Sequence, residues 1–307
     1  MSSKPLVWLP FHPDRLGGAP AELDYETYVP ESGEELPAWV SRVEFYVPPY
    51  QWSGNASQLL RQMPRLKVVQ TMTAGVDHLR PHIPDGVLLC NGRGIHDAST
   101  AELAMTLMLA SLRGIPRFVR AQDEHRWDHG MLPALADKTV LIVGYGAIGA
   151  ALERRLTGFE ADVLRVARRA RDGVAGFEEL PGLVPQADVV VLIVPLTAET
   201  RGMVDADFLG RMRDGALLVN VARGGVVDTD ALVKELHSGR ITAALDVTDP
   251  EPLPADHPLW GAPGVLITPH VGGATSAMSP RAFAIVGEQL RRFARGEPLA
   301  NVMTGAY

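Results

Sequence analysis

Short apolar segments rich in β-branched residues recur along the second half of the chain and alternate with stretches of helical period. They are TVLIVG (residues 139–144), DVLRV (162–166), DVVVLIV (188–194), ALLVNV (216–221), TAALDV (242–247) and VLIT (265–268). Continuous apolar runs of this length, separated by helices, are typical of buried parallel strands in successive βαβ units. The pattern therefore predicts a doubly wound α/β sheet that begins near residue 139.

The first hundred residues show a rougher version of the same pattern. The candidate strands are residues 6–9, 43–47, 66–72 and 87–90. Many prolines and glycines lie between them, which is typical of a loop-rich domain. A second, smaller α/β domain is therefore predicted ahead of the regular one.

Two helices with apolar periodicity connect these regions. One is predicted from residue 99 to about residue 113, and the other, from residue 280 to residue 295, is predicted to return to the first domain. We accordingly predict a smaller domain of residues 1–97 completed by 275–307, and a second domain of residues 98–274. A cleft is expected between them.

Composition limits the classes of partner. The 307 residues suit two domains, and 46% hydrophobic with 21% charged residues is typical of a soluble globular protein. The net charge of −7 argues against a nucleic-acid partner. The single cysteine, Cys90, excludes an internal disulfide, and neither a signal peptide nor a membrane-spanning apolar stretch is seen. The prediction is a cytoplasmic protein without membrane or nucleic-acid partners.

A glycine fingerprint follows the first strand of the regular region. The segment VGYGAIG places Gly144, Gly146 and Gly149 in GxGxxG spacing between a predicted strand and a predicted helix. The first glycine permits a tight turn, the second lets the backbone approach a pyrophosphate, and the third packs the helix on the strand. The helix N-terminus, at Ala147 and Ile148, offers N–H groups and a positive dipole. These residues predict a dinucleotide site, with a purely structural turn as the alternative.

An arginine cluster, LRVARRARDG (residues 164–173), follows the second strand. Arg168 lies 19 residues after Gly149, where NAD-binding proteins place a carboxylate that binds the ribose hydroxyls. A guanidinium cannot accept that hydrogen bond, but it suits a 2′-phosphate. Arg168 and Arg169 therefore predict a preference for NADP(H), with NAD(H) possible; a solvated basic turn is the alternative.

Polar residues follow three later strands. Arg223 comes after VNV, Asp246 ends AALD, and His270 follows ITP, while Glu251 lies between two prolines in the loop after Asp246. The carboxyl ends of parallel strands meet at one edge of the sheet, so these side chains are expected near each other. Singly, each has an ordinary role as a salt bridge, a cap or a surface charge.

Together these residues suit hydride transfer to a 2-keto acid. Arg223 would bind the carboxylate and polarise the carbonyl, and His270 would deliver the proton. Glu251 would orient the imidazole and favour its protonated form. Asp246 would accept a hydrogen bond from the nicotinamide carboxamide. By contrast, His125 and His129 lack a third ligand, so no metal site is predicted.

Four segments carry a resemblance to a known family: GYGAIG, VNVARGGVVDTDALVKELHSGRI, ALDVTDPEPLP and ITPHVGGAT. Over nearly its whole length the chain resembles the D-isomer-specific 2-hydroxyacid dehydrogenases. The resemblance implies a Rossmann-type dinucleotide-binding domain, a flavodoxin-like substrate-binding domain, and a homodimer formed through the helical region after residue 98. The Arg–Glu–His set of the family corresponds to Arg223, Glu251 and His270.

The same resemblance implies further contacts with the ligands. Cofactor contacts implied in this way are Val194, Pro195, Val221, Ala222, Asp246, Gly272 and Gly273. The substrate carboxylate is expected against backbone N–H groups of Ala74, Gly75 and Val76, with a tight turn after a buried strand as the alternative. The bulky residues Tyr50, Trp52 and Met72 line the substrate pocket or belong to the core of the first domain.

The arginines identify a branch of the family, since many members carry an acid at the position of Arg168. The chain is similar to the NADP-using glyoxylate/hydroxypyruvate reductases, which implies a small 2-keto acid as substrate and a D-2-hydroxy acid as product. Formate dehydrogenases have glutamine where this chain has Glu251, which favours keto-acid chemistry here. A nucleotide-sensing protein or corepressor of the same fold remains the alternative function.

Overall fold

The computed structural model describes residues 4–30, 34–50 and 56–304. Trp52 lies outside these described residues. The strands are β1 Leu6–Leu9, β2 Asp24–Thr27, β3 Val43–Tyr46, β4 Val68–Gln70, β5 Leu88–Cys90, β6 Thr139–Val143, β7 Asp162–Val166, β8 Val189–Leu192, β9 Leu217–Asn220, β10 Thr242–Leu245 and β11 Val265–Ile267.

Helices connect the strands. The α-helices are α1 Ala56–Leu60, α2 Asp97–Leu112, α3 Ile115–Asp123, α4 Ala147–Leu156, α5 Leu180–Leu183, α6 Ala206–Arg211, α7 Thr229–Ser238 and α8 Met278–Arg295. Short 3-10 helices are Pro13–Leu16, Ala38–Arg42, Arg80–His82, Thr157–Phe159, Phe177–Glu179, Val184–Gln186, Gly224–Val226 and Pro258–Gly261. None of the helices in the described part of the chain combines the length and the hydropathy needed to span a bilayer.

The chain forms two compact units: Met1–His96 with Ser276–Tyr307, and Asp97–Thr275. The first unit contains a parallel sheet of order β2-β1-β3-β4-β5. This is the flavodoxin-like order. Side chains alternate between its faces: Trp8 packs in one apolar cluster, and Val7 packs in the other together with Val286 of α8.

The second unit contains a six-stranded parallel sheet of order β11-β10-β9-β8-β6-β7. Val140 packs with Leu107 of α2 and Leu152 of α4, while Leu141 on the opposite face packs in the same cluster as Leu232 of α7. Helices therefore cover both faces, and the predicted doubly wound fold is confirmed. The strand order reverses between β6 and β8, which is the switch point where ligands bind in such sheets.

One strand was missing from the sequence prediction. β2 has the sequence DYET, its side chains are exposed or half-buried, and among the described strands it pairs with β1 alone, at the edge of the first sheet. An edge strand of this kind carries polar residues on both faces, so it lacks the apolar run by which the other strands are recognised.

Candidate active site

The glycine turn lies directly after β6, beside the switch point. Gly144 has φ +104°, and a Cβ there would lie 2.6 Å from the carbonyl carbon of Ile193. A Cβ on Gly149 would lie 3.2 Å from the Ile142 side chain, so this glycine lets α4 pack closely on β6. Gly146 faces open space, with nothing within 4 Å of a Cβ. The first and third glycines avoid clashes that a Cβ would make with neighbouring atoms, and the second leaves room for a ligand.

The N-terminus of α4 suits a pyrophosphate. The helix begins at Ala147 with Gly146 as its N-cap, and no side chain makes a capping hydrogen bond there. The first N–H groups of a helix, here at Ala147 and Ile148, lack partners within the helix, and the helix dipole favours negative charge at this end. Val194 and Pro195 follow β8 on the neighbouring side of the switch point. These residues fit a dinucleotide.

Replacing Gly144 with alanine is expected to lower the free energy of unfolding by at least about 2 kcal/mol, because the new Cβ would combine a positive φ with contact to backbone atoms. Urea unfolding measures this difference. The control is Gly158→Ala, at a glycine without a positive φ where a Cβ meets nothing within 4 Å. Equal stability of the two variants would contradict the role assigned to Gly144.

Two arginines of the cluster, Arg165 in β7 and Arg171 after it, have partners near the glycine turn. Arg165 donates to Glu153 of α4 through Nε at 2.9 Å, and this pairing raises the pKa of Arg165 and lowers that of Glu153. Arg171 donates to the carbonyl oxygen of Tyr145 at 2.6 Å. Both guanidinium carbons lie 5.8 Å from the centre of the Tyr145 ring. These two arginines stabilise the turn.

Arg168 and Arg169 have different surroundings. Arg168 pairs with Glu199, with Nε 2.7 Å and Nη2 2.8 Å from the two carboxylate oxygens, and the Glu199 hydrogen bond raises the pKa of Arg168. Arg169 is exposed, and the described residues provide it with no side-chain hydrogen bond or ion pair. The end of β7 thus presents two cations at the position predicted for a ribose 2′-substituent.

Arg223 is positioned by the turn after β9. It is the N-cap residue of the 3-10 helix Gly224–Val226, and its Nη1 donates to the carbonyl oxygen of Ala222 at 2.7 Å. Asn220, almost fully buried, donates to the Arg223 carbonyl oxygen at 3.0 Å and accepts from the Ala222 N–H at 3.0 Å. Sequence reasoning did not assign Asn220, although an amide inside an otherwise apolar strand was the available signal.

His270 and Glu251 form a hydrogen bond in the second unit. His270 Nδ1 lies 2.5 Å from Glu251 Oε1, and the side chains are 43% and 40% exposed, so a ligand can reach them. Since the carboxylate accepts, Nδ1 carries the proton, and Nε2 makes no hydrogen bond to the described residues. The sequence analysis had paired these two residues, and the catalytic roles assigned to them stay predictions. Glu251 lies between Pro250 and Pro252. The peptide bonds Asp249–Pro250 and Glu251–Pro252 are both cis.

Asp246 holds the backbone next to His270. Its carboxylate is 3% exposed and accepts from Thr268 Oγ1 at 2.6 Å, from the Val271 N–H at 2.9 Å and from the Gly272 N–H at 2.9 Å. Its carbonyl oxygen accepts from the His270 N–H at 2.7 Å. Asp246 therefore anchors the loop from β11 to Gly273, and its contact with the nicotinamide stays a prediction.

Small residues next to this anchor leave little free space. A Cβ on Gly272 would lie 2.9 Å from Asp246 Oδ2, which explains glycine at this position.

The other predicted contacts in this unit follow strand ends. Val221 and Ala222 come after β9 and are both largely buried, and Gly273 ends the loop after β11.

The predicted substrate turn lies in the first unit. Asn91 Nδ2 donates to the carbonyl oxygen of Ala74 at 3.0 Å, and Thr73 Oγ1 donates to that of Gly75 at 2.8 Å. Val76 is fully buried.

A small cavity of ≈ 40 Å³ lies beside this turn, and Tyr50, Met72 and His78 are among the residues lining it. Met72 is also a core residue of the same unit. Met72 therefore lines this cavity and belongs to the core, and its contact with a substrate stays a prediction.

The two histidines considered as metal ligands are not on one helix. α3 ends at Asp123, before both His125 and His129, and both are exposed. The described residues contain no group of three or more His, Cys, Asp or Glu arranged to hold a metal ion.

Comparisons with known proteins test the resemblance. The family model for "D-isomer specific 2-hydroxyacid dehydrogenase, NAD binding domain" matches residues 105–272. The glyoxylate reductase/hydroxypyruvate reductase of Homo sapiens is 36% identical over 251 residues, which are 77% of this chain and 76% of that protein.

Two solved structures are similar over nearly the full chain. The D-isomer specific 2-hydroxyacid dehydrogenase from Xanthobacter autotrophicus Py2, in complex with NADPH and MES, has a TM-score of 0.83 and 33% identity, covering 99% of this chain and 98% of that one. The NADPH-dependent glyoxylate/hydroxypyruvate reductase from Sinorhizobium meliloti, in complex with NADP and sulfate, has a TM-score of 0.81 and 28% identity, covering 98% of both. The family predicted from the sequence is confirmed: the chain belongs to the D-isomer-specific 2-hydroxyacid dehydrogenases, which are enzymes that use a nicotinamide dinucleotide.

Proposed function

We propose that this enzyme reduces small 2-keto acids, with glyoxylate and hydroxypyruvate as the first candidates, to D-2-hydroxy acids with NADPH. The observation that carries the proposal is the His270–Glu251 hydrogen bond of 2.5 Å, in the same unit as the glycine turn. A carboxylate that accepts from Nδ1 orients the imidazole so that Nε2 is left to face the substrate, where it can act as the proton donor. The similarity to glyoxylate/hydroxypyruvate reductases supports the choice of substrates.

The residues have separate roles in this reaction. The chemistry that a nicotinamide dinucleotide supplies when bound is transfer of a hydride to the carbonyl carbon. Arg223 binds the substrate carboxylate and stabilises the negative charge that develops on the carbonyl oxygen. His270 donates its Nε2 proton to that oxygen, which gives the hydroxyl group, and takes up a proton from solvent afterwards. Glu251 holds the imidazole in place.

For the substrate, we propose that backbone N–H groups of Ala74, Gly75 and Val76 contact the carboxylate. The hydrogen bonds of Thr73 and Asn91 to carbonyl oxygens of this turn support the idea, because they fix the orientation of its peptide groups.

For the cofactor, we propose that Arg168 and Arg169 bind the 2′-phosphate, which makes NADP(H) the preferred cofactor while NAD(H) can still bind. The support is their position after β7 and the absence of an ion pair at Arg169 among the described residues. The relatives solved with NADPH or NADP are consistent with this choice.

Initial rates of NADPH and NADH oxidation with glyoxylate, hydroxypyruvate, pyruvate and phenylpyruvate test the proposal. We expect the highest kcat/KM for NADPH with glyoxylate or hydroxypyruvate, and the lowest with phenylpyruvate. A preference for phenylpyruvate would refute the substrate assignment, and a preference for NADH would refute the cofactor assignment. Dinucleotide binding without turnover of any keto acid would instead support a nucleotide-sensing protein.

We also propose that the enzyme is a cytoplasmic homodimer. The support for the dimer is an exposed apolar surface on α3 and the segment after it, where Val119 is 53%, Trp127 94% and Met131 99% exposed. Asp128 in this segment pairs with Arg117 and Arg126, which lowers the pKa of Asp128. Large exposed apolar side chains on an ordered segment are typical of an interface.

The lone Cys90 supports the cytoplasmic location. It is buried, and burial raises its pKa to about 11, so the thiol is inert. A single inert thiol without a disulfide suits a reducing compartment.

The double variant Trp127→Ala, Met131→Ala is expected to raise the dimer dissociation constant at least about thirtyfold, since anchoring interface side chains typically contribute 2 kcal/mol or more. Sedimentation velocity over a range of protein concentrations measures the change. Val29→Ala, at a half-exposed apolar residue of the first unit, is the control and should leave the constant unchanged. A monomeric wild-type protein, or a double variant that dimerises normally, would contradict the proposed interface.

A further inference from the structure

The pair between Arg168 and Glu199 joins two loops at the dinucleotide site. Arg168 lies in the loop after β7, and Glu199 lies in the loop after β8. β6 lies between these two strands in the sheet and ends in the glycine turn. The pair therefore bridges the loops on either side of that turn, at the end where the ribose of a dinucleotide binds.

The loop after β8 holds Glu199 in place. Thr200 is 3% exposed, donates to the Pro195 carbonyl oxygen at 2.6 Å and accepts from the Thr197 N–H at 2.9 Å. The residue before it, Glu199, is consequently fixed at its backbone while its side chain stays half exposed. The loop thus holds the backbone of Glu199 at a place from which its carboxylate makes a bidentate contact with Arg168.

Both carboxylate oxygens of Glu199 contact the guanidinium that a 2′-phosphate would use. Arg168 offers them Nε and Nη2, the fork that also binds phosphate oxygens bidentately. A phosphate that binds this fork must either displace the Glu199 carboxylate or bind next to it, where the two negative charges repel each other. A ribose with a free 2′-hydroxyl carries no such charge and does not compete.

We propose that Glu199 is a specificity-determining residue, which lowers the affinity for NADP(H) relative to NAD(H) by competing with the 2′-phosphate for Arg168. This inference rests on the proposed use of NADP(H). The competition is mild, because an exposed ion pair contributes a factor of about two to five. A dianionic phosphate therefore displaces the carboxylate, and the enzyme retains measurable affinity for both cofactors.

Calorimetric titration with adenosine 2′,5′-bisphosphate and with AMP tests the proposal without turnover, because these two probes differ only in the 2′-phosphate. Glu199→Gln is expected to lower the Kd for the bisphosphate about twofold to fivefold and to leave the Kd for AMP unchanged. The same variant should lower the KM for NADPH and leave that for NADH unchanged.

Two further variants make the interpretation specific. Asp207→Asn changes the net charge equally and breaks an exposed pair with Arg211 on α6, so it should leave both Kd values unchanged. In an Arg168→Ala background, Glu199→Gln should no longer tighten binding of the bisphosphate. An unchanged Kd in Glu199→Gln, an equal gain in Asp207→Asn, or a gain that persists without Arg168 would each overturn the proposal.

The same titrations separate this inference from the proposed function. If Arg168→Ala weakens the bisphosphate about tenfold or more while Glu199→Gln has no effect, the competition is refuted and recognition of NADP(H) by Arg168 stands. If Arg168→Ala leaves the selectivity for the bisphosphate over AMP unchanged, both the competition and the assigned role of Arg168 are wrong.

Discussion

Replacing His270 with alanine is expected to lower kcat for glyoxylate reduction about 10²- to 10⁴-fold, the range typical of a lost general acid. The Kd for NADPH should change less than twofold, because the imidazole acts on the carbonyl oxygen and Nδ1 is already bonded to Glu251. Steady-state kinetics and a fluorescence titration of NADPH measure the two quantities.

A second variant separates chemistry from backbone effects at this position. His270 has φ +52°, a region that asparagine tolerates better than alanine, so His270→Asn should fold well and still lack the proton donor. His237→Asn, at an exposed histidine on α7, is the control and should keep normal kinetics. Near-normal kcat in both His270 variants would show that another group is the acid.

Replacing Arg223 with glutamine is expected to change both kinetic constants. kcat should fall about 10²- to 10³-fold, as it does when one donor to a developing oxyanion is removed. KM for the keto acid should rise at least about tenfold, since a charged contact to the carboxylate is also lost. The combined loss in kcat/KM reports on an interaction made with both the substrate and the transition state.

Two matched variants test the explanation for Arg223. Arg223→Lys keeps the charge without the planar fork. Compared with Arg223→Gln, its KM should return part of the way to the wild-type value, while its kcat should stay low. Arg211→Gln removes an exposed arginine that pairs with Asp207, and normal kinetics are expected. Unchanged KM and kcat in Arg223→Gln would exclude contact between this side chain and the substrate.

The fold could be predicted from sequence wherever strands are buried on both faces. The apolar runs located β6 to β11 to within a few residues, because such strands carry continuous apolar sequence. β2 could not be predicted, because its residues are polar or half exposed and depend on pairing with β1. An edge strand of this kind forms by pairing with its neighbour, so its own sequence shows no apolar run.

The candidate site shows a similar division. Arg223, Glu251 and His270 were recognisable because polar residues at the ends of buried strands have few structural reasons to be there. Loop contacts were not recognisable. The pair of Arg168 with Glu199 joins residues 31 positions apart, and the carboxylate of Asp246 bonds to residues 22 to 26 positions further on. Contacts of this kind depend on how loops converge, which periodicity and local motifs do not report.

One measurement tests the proposed reaction most directly: NADPH oxidation with hydroxypyruvate by the wild-type enzyme, followed by chiral analysis of the product. We expect one glycerate formed for each NADPH oxidised, and we expect it to be D-glycerate. L-glycerate as product, or no oxidation of NADPH by a protein that binds it, would contradict the proposed function.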